Sequence, residues 1–188
     1  MVPVKLLGIA GSLRNGSFSA AIIESLKAGL PGGVELTLHP LDNVPLYNQD
    51  LDTLTPPAGV TALRDAIAAA DGLIIVTPEF NYGLPGVLKN ALDWASRPYG
   101  ASSLIGKPVV TMSNSPAFTG GVRAQAQLNE TLLATQSRIP GGAQVVIGEV
   151  HTKIEDGRLI DAAALDFAQN AVRALVDNIK AARPHVAV

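Results

Sequence analysis

The stretch "GLIIVTPEFNYGLPGVLKNALDWAS", residues 72–96, carries three patterns in succession. Gly72 to Pro78 is a continuous apolar run, as expected of a strand buried on both faces. Glu79 to Gly83 breaks it with polar and aromatic residues. Leu84, Val87, Leu88, Ala91, Leu92 and Ala95 then fall on one helical face, and Pro85 suits the first helical turn. A doubly buried strand, a loop and an amphipathic helix form the repeating unit of a parallel sheet covered by helices.

The same alternation extends outward in both directions. Toward the N-terminus, Val4–Ala10 reads as a strand, and Ile22, Ile23, Leu26 and Leu30 as a helix stopped by "PGG" at 31–33. Val34–His39 alternates like a strand, and a Pro-rich connection (43–59) leads to a helix marked by Val60, Leu63 and Ile67. Toward the C-terminus, strands are predicted at Lys107–Ser113 and Ala143–Val150, with a helix from about Val122 between them. Glu155–Gly157 reads as a turn, and Leu165, Ala168, Val172, Leu175, Val176 and Ile179 mark a closing helix. The expectation is one doubly wound α/β domain over residues 1–188 with a five-stranded parallel sheet.

Composition narrows the chemistry. The net charge of -2 gives no support for a nucleic-acid surface or an anionic-membrane surface. The chain has no cysteine, which excludes disulfides, thiolate metal sites and a cysteine nucleophile, so any redox chemistry must be carried by a bound cofactor. No apolar run approaches the length of a membrane span, and the N-terminus does not read as a secretory leader. A cytoplasmic location is the simplest expectation.

In a doubly wound sheet, ligands lie beyond the carboxyl ends of the strands near the switch point. The loops to examine are "GSLRNGS" (11–17), "TPEFNYGLPG" (77–86) and "SNSPAFTGG" (113–121). The first has the Gly11–Gly16 separation of a P-loop, but Ser17 and Phe18 stand where Lys and Ser/Thr belong. Glu35 begins the second strand, the wrong end for the ribose partner of a dinucleotide site. Ser12, Asn15, Ser17, Ser19, Arg14 and the following helix start make a cradle for a terminal phosphate monoester. The alternative is that the serines are helix caps and Arg14 is a solvated charge. In the second loop, Phe80 and Tyr82 offer aromatic surface, Glu79 and Asn81 offer polar handles, and Pro78 and Pro85 stiffen the run. That combination suits a flat heteroaromatic ring.

"GSLRNGSFS" and "TPEFNYGLPGVLKNALDWASRP" resemble the two signature stretches of the NADPH-dependent FMN reductase family, which includes NAD(P)H quinone and chromate reductases. The resemblance covers nearly the whole chain in element order. It implies a flavodoxin-like fold, non-covalently bound FMN, NADPH or NADH as electron donor, a small-molecule electron acceptor such as a quinone, and a homodimer or homotetramer. Carried over residue by residue, it implies that Ser12, Arg14, Ser17, Phe18 and Ser19 form the phosphate loop. Pro78, Glu79, Phe80, Asn81 and Tyr82 would border the ring, and Ser113, Gly120 and Gly121 would line its far edge. Relatives often have Asn at position 19 and Tyr at position 80, where this chain has Ser and Phe. Hydride would pass from the nicotinamide to flavin N5 and onward to the acceptor, with no catalytic side chain required.

Other residues read more plainly. His39, His151 and His185 share no metal-ligand spacing. Trp94 either packs under its own helix or faces another subunit, and the resemblance favours the interface. Arg123 stands at a helix start, where a cation is disfavoured, and calls for an acidic partner in a neighbouring chain or a cofactor phosphate. The competing functional expectation is a flavodoxin-type electron carrier that does not itself oxidise NAD(P)H.

Overall fold

The computed structural model describes residues 2–142 and 144–183. His185 and the expected strand start at Ala143 lie outside the described residues. The strands of the main sheet are β1 (Val4–Ala10), β2 (Val34–His39), β3 (Gly72–Pro78), β4 (Val109–Asn114) and β5 (Val145–Ile147). They are parallel and lie in the order β2-β1-β3-β4-β5, the order of the flavodoxin-like fold. The major helices are α1 (Phe18–Leu26), α2 (Ala58–Ala69), α3 (Gly86–Ala95), α4 (Val122–Ala134) and α5 (Ala162–Ala182).

The pleat of the strands divides the core in two. Ile74, Val76 and Met112 face α1 and α5, where they meet Ile22, Ile23, Val172 and Val176. Leu73, Ile75 and Val109 face the other layer, where they meet Leu63, Ile67, Leu88, Leu92 and Leu128. This accounts for the continuous apolar run of β3: both faces are covered, and all but its last residue are buried. Because β1 neighbours both β2 and β3, the chain leaves β1 and β3 toward opposite helical layers. The loops after β1 and β3 therefore diverge and open a crevice between them.

Two features depart from the sequence expectation. β5 is three residues long instead of the predicted run from Ala143 to Val150, and it pairs only with Met112–Asn114. A side-chain amide compensates on the uncovered edge of β4: Gln125 Nε2 donates to the Thr111 carbonyl at 3.0 Å. A cavity of about 410 Å3 lies over this edge between α4 and α5, and none of its lining residues belongs to the three candidate loops. A small antiparallel hairpin, β6 (Ile154–Glu155) and β7 (Arg158–Leu159), flanks the predicted turn. It is tied to α1 by the Leu159 N–H, which donates to Ser25 Oγ at 2.9 Å.

Candidate functional site

The loop after β1 begins with Gly11, whose N–H bonds to the Val76 carbonyl of β3 at 2.9 Å. A Cβ at Gly11 would meet Leu88 at 3.0 Å and Pro78 at 3.2 Å, so the loop crosses β3 closely because this residue has no side chain. Gly16 holds φ at +69°, which turns the chain into α1. Ser17 is the N-cap, and its Oγ accepts from the Ala20 N–H at 3.4 Å. The Ala21 N–H bonds to the Ser17 carbonyl, which leaves the amides of Phe18 and Ser19 as the free donors of this helix start.

Arg14 is exposed, lies 4.8 Å from the Phe18 ring centroid, and forms no ion pair among the described residues. Ser12 Oγ accepts the Arg14 N–H at 3.3 Å and keeps its own proton for donation. The loop thus gathers a guanidinium, a hydroxyl and two helix-start amides, with no acidic residue from Gly11 to Ala20. This donor set fits a phosphate monoester.

Ser19 behaves differently from the sequence expectation. It is 1% exposed, and its Oγ accepts from Asn114 Nδ2 at 2.8 Å. Asn114, which the sequence reading missed, is itself buried, and its amide also approaches the Thr77 carbonyl at 3.4 Å. The first turn of α1, the end of β3 and the end of β4 are therefore tied by one amide. The side chain of Ser19 supports the loop from below, and its free contribution to the rim is a backbone amide. No local pattern around Asn114 betrays this role, because its partners are distant in the chain.

The loop after β3 forms a tight turn. The Phe80 N–H bonds to the Gly83 carbonyl at 3.1 Å, and the Gly83 N–H returns to the Phe80 carbonyl at 2.9 Å. Asn81 and Tyr82 both take positive φ, +50° and +62°, as the central pair of a type I′ turn. Tyrosine seldom adopts this conformation. The turn projects aromatic surface outward, with Phe80 58% exposed and Tyr82 71% exposed. Pro78 is half-buried beneath it.

Glu79 faces inward from this turn. Its Oε2 accepts the N–H groups of Arg123 at 3.0 Å and Ala124 at 3.2 Å, so its carboxylate caps α4. Oε1 lies 3.5 Å from Arg123 Nη1, which supplies within the chain the acidic partner expected from elsewhere. Gly121 is the residue before α4, with φ +87°, and a Cβ there would come within 3.1 Å of the Asn114 carbonyl oxygen and 3.4 Å of Glu79. At Gly120, φ is +64° and a Cβ would lie 2.9 Å from the Gly148 nitrogen. Both glycines are buried; Gly121 lets the third loop pack against Glu79 of the second, and Gly120 lets it pack against the end of β5.

Ser113 is fully buried and donates to Gln125 Oε1 at 3.3 Å, so its side chain points under α4 and not to the rim. Trp94 also departs from expectation. It is fully buried within its own chain and donates from Nε1 to the Pro45 carbonyl at 2.8 Å. Tyr47 packs edge-on against it. The long Pro-rich connection, not a second subunit, covers this tryptophan.

The structure therefore brings the three loops to one edge of the sheet, with an anion-binding set on one side of the switch point and exposed aromatic residues on the other. FMN has this polarity, with a phosphate at one end and a flat ring at the other, and the residues present fit it. The comparisons with known proteins agree. Residues 4–152 match the family model described as NADPH-dependent FMN reductase. An NAD(P)H-dependent FMN reductase of Pseudomonas aeruginosa is 38% identical over 92% of this chain and 93% of its own length. A quinone reductase of Escherichia coli is 36% identical over 87% of this chain and 88% of its own length. The solved structure of FerB, a flavoenzyme NAD(P)H:(acceptor) oxidoreductase from Paracoccus denitrificans, superposes with a TM-score of 0.82 at 32% identity and covers 95% of this chain and 98% of that one. By the pairing of its loops, its strand order and these likenesses, the chain belongs to the NADPH-dependent FMN reductase family.

Proposed function

We propose that the protein is an FMN-dependent NAD(P)H oxidoreductase that reduces quinones or similar small acceptors. The observation that carries this reading is the division of the rim into an acid-free set of phosphate donors and an exposed aromatic turn. Arg14, Ser12 and the amides of Phe18 and Ser19 hold the phosphate of FMN. Ser17 fixes the helix start that presents those amides. Pro78, Phe80, Asn81 and Tyr82 border the ring. Glu79 acts one step removed, by clamping α4 and its Gly120–Gly121 turn against the ring loop.

When bound, FMN supplies two-electron redox chemistry between NAD(P)H and the acceptor. The chain orients the reactants. No acidic or basic side chain of the rim stands in a geometry that calls for proton transfer, and none is assigned that role. An exposed rim also fits successive visits by a nicotinamide nucleotide and an acceptor to one open face. The enzyme is proposed to be a single-domain, cytoplasmic homo-oligomer, either dimeric or tetrameric, which light scattering on the purified protein distinguishes.

Steady-state oxidation of NADPH and NADH with 1,4-benzoquinone, and with no second protein, separates this reading from an electron carrier. Sustained turnover is expected. Tight FMN binding without turnover would assign the chain to the carrier class.

A further inference from the structure

The ring side of the site holds a cation that FMN does not account for. Arg123 lies on the first turn of α4 with its guanidinium 4.4 Å from the Tyr82 ring centroid. A guanidinium stacked on a ring is held in a fixed plane, and its N–H groups remain available at its edge. The pairing with Glu79 consumes little of this capacity. The Glu79 carboxylate directs Oε2 to two backbone amides, and its contact with Arg123 Nη1 is long at 3.5 Å. The Glu79 side chain is 8% exposed and that of Arg123 is 51% exposed, so the acid lies below and the cation faces solvent. Of the five N–H donors of an arginine, one has a side-chain acceptor among the described residues.

FMN has one phosphate, and the loop after β1 is built for it. A nicotinamide nucleotide that lays its ring over the flavin extends its own phosphates beyond the rim. We propose that Arg123 anchors a phosphate of the NAD(P)H donor, so that it is a binding residue for the donor and not for FMN. This inference rests on the oxidoreductase reading above. The chemistry recognised is a nucleotide phosphate, either the 2′-phosphate of NADPH or the pyrophosphate that both donors share. The helix start itself is already served by the Glu79 carboxylate, so the outward N–H groups of Arg123 are the ones open to an incoming anion.

The test is steady-state kinetics of Arg123→Gln and Arg123→Lys with each donor at saturating 1,4-benzoquinone, beside equilibrium titration with FMN. Arg123→Gln is expected to raise KM for NADPH roughly tenfold, as for loss of a charge-assisted contact, while the FMN dissociation constant stays within twofold. An increase confined to NADPH assigns the contact to the 2′-phosphate, and an equal increase for NADH assigns it to the pyrophosphate. Arg123→Lys should recover part of the loss, because charge remains while the stacked fork does not. The KM for NADPH should also rise with ionic strength in the parent and less so in Arg123→Gln. Unchanged KM values in an active enzyme, or a rise that merely follows loss of FMN, would overturn the assignment. A parent protein that neither holds FMN nor oxidises NAD(P)H would overturn the functional reading together with it.

Discussion

At the scale of single residues, the site places side chains against their local preferences. Tyr82 holds φ at +62°, and the strain of such a conformation is of order 1 kcal/mol or more. The paired backbone hydrogen bonds between Phe80 and Gly83 keep it there. Tyr82→Gly converts the turn to Asn-Gly, the favoured type I′ pair. It should leave thermal stability within about 1 kcal/mol of the parent, because relief of strain offsets the lost stack. FMN binding should weaken roughly tenfold by loss of the ring contact. A fall in stability with unchanged FMN affinity would show that Tyr82 serves the fold alone. His39, at the end of β2, offers a pH test. Burial pulls its pKa below the ordinary 6.5, and Asp42 partly opposes this. The folded state therefore binds fewer protons than the unfolded state in this range. Stability from this group is full above pH 6.5 and is lost as the pH falls through that value toward the lower folded pKa. Urea unfolding of His39→Gln should lack this step.

At the scale of elements, the capped start of α1 links fold and function. Ser17→Ala removes the side-chain cap on Ala20 and should cost about 1 kcal/mol. Equilibrium titrations should show FMN binding weakened several-fold and riboflavin binding unchanged, because the proposed contact with this helix start is made by the phosphate alone. Equal losses for both flavins would separate α1 from the phosphate. The major elements were legible in the sequence because their patterns are local. β2 and β3 fall at the expected residues, and α4 begins at Val122 as the pattern predicts. β5 was read too long because an apolar run does not reveal where its partner strand stops offering an edge. The β6–β7 hairpin was missed because two-residue strands carry no period. The exposed part of the site, Arg14 with Phe80 to Tyr82, was legible as loop composition. Its support was not. Asn114 to Ser19 and Glu79 to α4 are contacts across many residues of sequence, and burial removes Ser19 and Ser113 from the rim by an orientation that residue type does not encode.

At the scale of the whole molecule, strand order does the principal work. The order β2-β1-β3-β4-β5 sends the chain to opposite layers after β1 and β3, and so separates the phosphate loop from the aromatic turn by the width of a crevice. No helix of the described residues is long and apolar enough to cross a membrane. Among those residues there is no His, Cys, Asp or Glu cluster suited to a metal. The molecule thus offers one composite rim, made by three loops that neither layer could assemble alone. We propose that this rim holds FMN for direct oxidation of NAD(P)H. The most direct measurement is the visible absorbance spectrum of the purified protein, followed by anaerobic addition of NADPH and then NADH. A flavin band that bleaches on addition of at least one donor is expected. A protein with no flavin band even after incubation with FMN, or a band that persists with both donors, would contradict the proposal.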